Sequence, residues 1–331
     1  MPLHVHQLSP SNPLDHQYIP AIARIHLVAW LTVPLMRAIY HGPPEAYPGY
    51  IASMVERHSQ AFSNEGNCRF AVVVDDSLVE DGDENDDDEA VVGETERDGM
   101  TGKGQRTRKE GNGKIKGKVI AAIKYYINDN DTNTDTNTTE SHTEDEPAPP
   151  PPSSTSSSTT TDRPWPASTH SALAASFWSQ LVASRRQLTA LLGPHILVDN
   201  LYTDPRHHRR GAGSMLMRHA CAEADARGWP SMLEASPKGV GVYEAVGFER
   251  FNLSGAPDGA EIWVDLRRWE GGGDKGVEFS EQRLEQELER DGERGDGWYC
   301  QVLMVRPAGT KAGTGSQREV AEVGTGEAAV V

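Results

Sequence analysis

Between Ile196 and Arg218 the chain reads ILVDNLYTDP, then RHHRRGAG, then SMLMR. That order leaves few folds open. Ile196, Leu197, Val198, Leu201 and Tyr202 supply β-branched or bulky apolar side chains over the length of a strand. Pro205 ends the strand, because it has no N–H for a ladder. Gly211 and Gly213 let the main chain turn tightly and let a ligand come close to it. Helix formers follow from Met215 to Arg227. A strand–turn–helix of this kind leaves several N–H groups pointing outward at a helix N-terminus, where the dipole adds partial positive charge. His208, Arg209 and Arg210 add more. The turn suits a phosphate or pyrophosphate.

Two common phosphate motifs fail on spacing. A Walker A loop needs Lys and Ser or Thr directly after its last glycine, and here Ser214 and Met215 follow Gly213. A dinucleotide-binding G-x-G-x-x-G needs a third glycine at position 216, which is Leu216. What remains is His208 to Gly213, HRRGAG. It resembles the Q/R-x-x-G-x-G/A signature of the GNAT superfamily of N-acetyltransferases, with His208 where Gln or Arg is usual. A second stretch, LEASPKGVGVYEAVGF over Leu233–Phe248, resembles the strand, short helix and Y-E-x-x-G-F motif that close the acetyl-CoA site of that family. Tyr243, Glu244, Gly247 and Phe248 match it. The separation from Gly213 leaves room for one helix, one strand and half a short helix. Ser236 stands where many members have Asn, and A-S-P-x-G resembles a fungal subgroup. The resemblance is clear over about 195–250 and weaker over 3–127 and 258–306.

It implies an α+β GNAT acyl-CoA N-acyltransferase fold. Such a fold has a mixed central sheet of about six or seven strands flanked by helices, with two parallel strands that splay apart. It also implies acetyl-CoA as cosubstrate and a primary amine, small molecule or peptide, as acceptor, attacked directly in a ternary complex. Leu201, Tyr202 and Thr203 would pair with pantetheine. His208, Arg209, Arg210, Gly211, Ala212, Gly213, Ser214 and Ser236 would complete the cosubstrate site. Tyr243 would protonate the leaving thiolate, a role that suits a phenol still protonated at neutral pH. Asp199 is the local base candidate, with Asp204 and Glu234 behind it. Period-two alternation puts Asp199 on the strand face of Leu201, and partial burial there would raise its pKa. A non-catalytic acyl-CoA-binding or scaffold protein of the same fold is the competing reading.

Composition bounds how much chain can join that fold. Residues 76–114, 128–164 and 268–296 are acidic, Gly-rich or Asn/Thr/Pro/Ser-rich, and 307–331 is a Gly/Ala/Glu tail. These read as three disordered insertions and a disordered end. They total 130 residues and leave 201, enough for a single domain over 1–306. The net charge of −17 belongs to the insertions: 75–98 carries −12 and 128–150 carries −7, so the rest is +2. Self-repelling loops follow, with no nucleic-acid partner. Cys68, Cys221 and Cys300 have neither disulfide nor zinc spacing, so no metal is expected. No stretch reaches membrane-spanning length and the first residues lack a signal-peptide pattern, which reads as a cytoplasmic or nuclear protein, monomer or homodimer, with no membrane partner.

The rest yields coarse elements. Strands are expected at Leu3–Gln7, Cys68–Val74, Lys118–Ile127, Ser231–Ala235, Glu261–Leu266 and Trp298–Val305. Helices are expected from His16, capped by Asp15, to Leu31; from Glu45 to Phe62; from a Thr169 or Ser171 cap to Leu192; and over Val240–Val246. A solvated helix is expected at Ser280–Arg290. Trp30, Tyr40, Tyr47, Trp263 and Trp298 are candidate walls of an acceptor pocket.

Overall fold

The structure, a computed structural model, describes residues 3–78, 117–129, 165–251, 261–269 and 297–310. The greater part of each expected insertion, the helix expected at Ser280–Arg290 and the tail from 311 lie outside the described residues.

In chain order the elements are β1 (Leu3–Gln7), α1 (Ile19–Trp30), α2 (Pro34–Ile39), α3 (Tyr47–Asn64), β2 (Cys68–Asp75), β3 (Lys118–Asn128), α4 (Ser171–Leu192), β4 (His195–Thr203), α5 (Ala212–Arg227), β5 (Ser231–Ala235), α6 (Val240–Glu244), β6 (Glu249–Arg250), β7 (Glu261–Asp265) and β8 (Trp298–Arg306). The eight strands form one sheet in the order β1-β2-β3-β4-β5-β8-β6, with β7 also on β8. All pairs are antiparallel except β4 with β5. The expected β2–β3 pairing is present, and the described residues form one strand more than the expected six or seven.

Helices cover both faces of the sheet. Ala212, Leu216, Met217, Ala220, Cys221 and Ala224 recur along α5 at helical spacing and pack on Ala71, Val73, Ile123, Ile196 and Val198. Their small size lets α5 lie close to the sheet. On the other face α1 and α3 pack on Phe70, Val72, Val74 and Tyr202, and α2 and α4 pack with Leu197, Ile262, Val264 and Leu303. β2 is therefore buried on both sides, which is why CRFAVVV is nearly continuous in apolar residues rather than alternating.

Three local expectations are corrected. Asp15 does not cap α1. Its buried carboxylate accepts the Ser9 N–H at 2.8 Å and meets His6 at 2.9 Å, and a 3-10 turn at Asp15–Tyr18 precedes the helix. The cap of α4 is His170, whose ring nitrogen accepts the Leu173 N–H. Arg268–Trp269 and Pro307–Thr310, expected in an insertion and a tail, are part of the described fold. Trp269 is buried, and the fully buried Arg306 donates to the Thr310 carbonyl, to Val246 O and to both oxygens of Asp225. That guanidinium ties the end of α5 to the end of α6.

Candidate active site

The parallel strands β4 and β5 pair at only two positions, Ile196 with Ser231 and Leu197 with Met232. β4 continues to Thr203 and β5 to Ala235, so the two diverge. The cause lies in the register on the other side of β4. Lys124 pairs with Asn200 and Tyr125 with Val198, so Asp199 is skipped. An extra residue of this kind bends the strand that carries it. It also reverses the side-chain alternation. Asp199 meets Arg185 of α4 on one face, while Leu201 packs with the α5 layer on the other. The expectation that Asp199 and Leu201 share a face is thus overturned by the bulge.

Beyond the bulge, Asp204 donates its N–H to Ile120 O. Alternation along an antiparallel ladder then turns the main-chain groups of Leu201 and Thr203 toward the β5 side. They form one edge of a cleft of about 640 Å³ between the strands.

The turn closes one end of that cleft. Asp204 accepts the Arg206 N–H and caps a 3-10 turn over Pro205–His207. Its carboxylate is also held by the Arg206 side chain, 2.8 Å away. His208 Nε2 lies 3.2 Å from the Thr203 carbonyl. Arg209 (φ 60°) and Gly211 (φ 83°) both sit in the left-handed region. For glycine this is free; for arginine it is strained. Left-handed residues separated by one ordinary residue turn consecutive N–H groups inward, which is an anion-binding concavity. A Cβ on Gly211 would meet nothing within 4 Å, so the space over it is open. The first-turn N–H groups of Ala212, Gly213 and Ser214 face the same place.

Arg210 departs from expectation. Its guanidinium is bonded to Asp75 at the end of β2, at 2.5 Å, and approaches His207 at 3.2 Å. It does not line the cleft. Burial would raise the pKa of Asp75, but Ser77 hydrogen bonds, chiefly, and Arg210 hold it at about 2. Tyr202 contributes main chain at most, because its ring is buried and stacked on His26 at 4.1 Å. Asp199, Leu201, Thr203, His208, Arg209, Gly211, Ala212, Gly213, Ser214, Ser236 and Tyr243 all line the cleft.

At the far end Tyr243 is half-buried on α6, with its ring at 6.1 Å from Phe248. Burial, and then the Glu234 carboxylate, pushes its hydroxyl up to about 12, so it keeps its proton. Gly239 makes room for the ring: a Cβ there would lie 2.8 Å from Tyr243 Cε2.

The middle of the cleft is held by a charge network that no sequence motif announces. Arg185 donates to both oxygens of Glu234 at 2.8 Å and to Asp199 Oδ1 at 2.9 Å. Lys124 Nζ sits 3.3 Å from Asp199 Oδ2, and Asn200 donates to the same oxygen at 2.6 Å. One guanidinium thus spans β4 and β5 after their ladder has ended. Burial of Asp199 would raise its pKa, but Lys124 and Arg185 overcome that and hold it at about 2. The expected raised pKa is corrected. A carboxylate so paired is a weak proton acceptor. Arg185 did leave a trace in the sequence, since Leu181, Arg185 and Leu188 share one helix face and a cation stands in an apolar stripe.

Of the aromatic residues expected to wall a pocket, Trp30 lines this cleft and Trp263 and Trp298 line an adjoining one. Tyr40 is buried in the core and Tyr47 packs against it. No helix among the described residues is long and apolar enough to cross a membrane.

The sheet is thus split between two parallel strands, with a turn of converging N–H groups at one end of the opening and a tyrosine at the other. Residues 178–250, from α4 to β6, match the family profile of the Acetyltransferase (GNAT) domain. Over that segment, which includes β4, the turn, α5 and α6, the chain is similar to the GNAT family. No curated protein matches it significantly. Among solved structures it is similar to mosquito arylalkylamine N-acetyltransferase like 5b, at 11% identity over 92% of this chain and 99% of that one, with a TM-score of 0.44. It is similar to the polyamine N-acetyltransferase of Drosophila melanogaster at 11% identity, 92% and 98% coverage and a TM-score of 0.42. It is also similar to the PaiA N-acetyltransferase of Thermoplasma acidophilum in complex with coenzyme A, at 11% identity, 77% and 94% coverage and a TM-score of 0.35.

Proposed function

We propose that the chain is an N-acetyltransferase that moves an acetyl group from acetyl-CoA to an amine, with both bound in the cleft between β4 and β5. The observation that carries this is the alignment along one opening of an anion-binding turn, a strand edge with outward main-chain groups, and a protonated tyrosine. Acetyl-CoA supplies a thioester whose carbonyl a neutral amine attacks directly. Arg209 and the N–H groups from Arg210 to Ser214 hold the pyrophosphate, with His208 bracing the turn through Thr203. Leu201 and Thr203 offer main-chain partners to the pantetheine amides, and Ser236, directly after β5, lines the cleft with them. An N–H on this edge polarises the carbonyl. Tyr243 donates its proton to the departing sulfur, and the proton that the attacking nitrogen sheds as the amide forms restores the phenol through solvent. Asp199 and Glu234 act by position: with Arg185 they set the spacing of the strands. Proton uptake from the ammonium then falls to solvent, before the amine attacks.

Release of CoA thiol, measured for the full chain with acetyl-CoA and a panel of primary amines, tests the reading. Amine-dependent release supports it. Binding of acetyl-CoA with no release for any amine would move the protein to the non-catalytic reading. Gly239→Ala gives a second check. The added methyl must displace the Tyr243 ring, while the backbone at Gly239 (φ −87°, ψ −25°) accepts alanine. Turnover should fall about tenfold or more, as misplacement of a reacting group does. Stability should stay within about 1 kcal/mol. Unchanged turnover would detach the ring's position from catalysis.

A further inference from the structure

A second, smaller cavity of about 210 Å³ opens beside the cleft. Val33, Ser236, Lys238 and Tyr299 line both, so the two are continuous. Its floor is one face of the β7–β8 pair. Trp263 stands opposite Cys300 and Asp265 opposite Trp298, which places the two indoles diagonally on that face. Their ring centroids are 6.4 Å apart at 77°, an edge-to-face pair. Pro34 from α2 and Pro237 from the turn after β5 complete an apolar wall. A cavity of ~150 Å³ already holds a benzene ring, so this one takes an aryl group with its linker.

The charges point the same way. Among the described residues lining the two cavities, the carboxylates are Asp199 and Glu234. All four of their oxygens are engaged by Arg185, Lys124 or Asn200. The cation Lys238 lines both cavities, its Nζ 3.1 Å from Thr32 O at the rim. A second ammonium on the acceptor finds a cation and paired carboxylates here, whereas an apolar body finds two indoles.

Resting on the acetyl-transfer reading, we infer that the acceptor is a monoamine with an aryl or comparably bulky apolar body, seated between Trp263, Trp298, Val33 and Pro34 while its amine reaches past Tyr299 toward Tyr243. The site discriminates against polyamines and against small hydrophilic amines.

The experiment is a kinetic comparison of 2-phenylethylamine, ethylamine and spermidine with the full chain at saturating acetyl-CoA, read by thiol release. The expected kcat/KM for 2-phenylethylamine exceeds that for either competitor by about tenfold or more, the worth of burying one such group. Trp298→Ala and Trp263→Ala should each raise the KM for 2-phenylethylamine severalfold to tenfold, with the KM for ethylamine and the calorimetric affinity for acetyl-CoA unmoved. Trp298→Phe should restore most of the loss. Preference for spermidine or ethylamine, or an unmoved KM in folded tryptophan variants, overturns the inference and leaves the transferase reading standing. Bound acetyl-CoA with no turnover of any amine overturns both. The wild-type panel decides the matter even where a variant does not fold.

Discussion

Arg185→Met should lower the stability of the domain by about 3–5 kcal/mol, the range for removing one partner of a buried ion pair. Urea unfolding at pH 7 measures it, and a Tm fall on the order of 10 °C accompanies it. The loss comes from two carboxylates at once. Glu234, with 2% of its side chain exposed, relies on this guanidinium for both oxygens, and Asp199 keeps only Lys124 and Asn200. The pH dependence has a definite sign. The pKa of Asp199 is depressed in the folded state to about 2. Its contribution is therefore complete above the unfolded value near ~3.9 and is lost as the pH falls toward 2. In Arg185→Met that depression shrinks, because one of the two cations that cause it is gone. The gap between variant and wild type should then narrow as the medium is acidified from pH 7. Arg185→Met combined with Glu234→Gln should recover a large part of the loss, because it removes the stranded charge. A variant as stable as wild type, or a gap that widens in acid, would show that Arg185 does not clamp the strands.

Tyr243→Phe should reduce kcat by about 10²–10⁴, the usual contribution of a positioned acid, and change acetyl-CoA affinity less than twofold. The phenol suits this role through its surroundings. Burial first, and Glu234 second, hold the proton on up to about pH 12. Between pH 6 and 9 the tyrosine is therefore constant, and the visible titration belongs to the acceptor: kcat/KM for the amine should rise about tenfold per pH unit below the amine's own pKa. Steady-state kinetics over that range measures both effects. A kcat within threefold of wild type would remove Tyr243 from proton transfer. A flat pH profile would show that the ammonium itself, or a group on the protein, supplies the step assigned here to solvent.

The parts of this site that local pattern governs were legible in the sequence. An apolar run, a Pro stop, two glycines and a run of helix formers specify β4, the turn and α5, and the second motif places Tyr243 across from them. What escaped depends on partners far along the chain or on a break in periodicity. Unbroken alternation puts Asp199 on the face of Leu201, and the bulge that reverses it appears only when β3 is laid alongside. Arg210 has the local setting of a phosphate ligand, but its partner Asp75 lies 135 residues away. Arg185 was visible only as a cation in an apolar stripe, and its two carboxylates come from strands separated by all of α5. His170 escaped as a cap because an imidazole is an unusual acceptor at that position.

The central claim is that the cleft between β4 and β5 binds acetyl-CoA with its pyrophosphate on the turn. Calorimetric titration of acetyl-CoA into the wild-type chain and into Arg209→Glu and Arg210→Glu tests it most directly, because the two neighbours differ in where they point. Arg209 is exposed beside the opening, whereas Arg210 is tied to Asp75. Reversing the charge at Arg209 should weaken binding by about tenfold or more, through lost attraction and added repulsion at the anion. Reversing it at Arg210 should chiefly lower thermal stability, by setting two carboxylates together, while folded protein keeps affinity within about threefold. Equal affinity of wild type and Arg209→Glu would contradict the assignment of the turn.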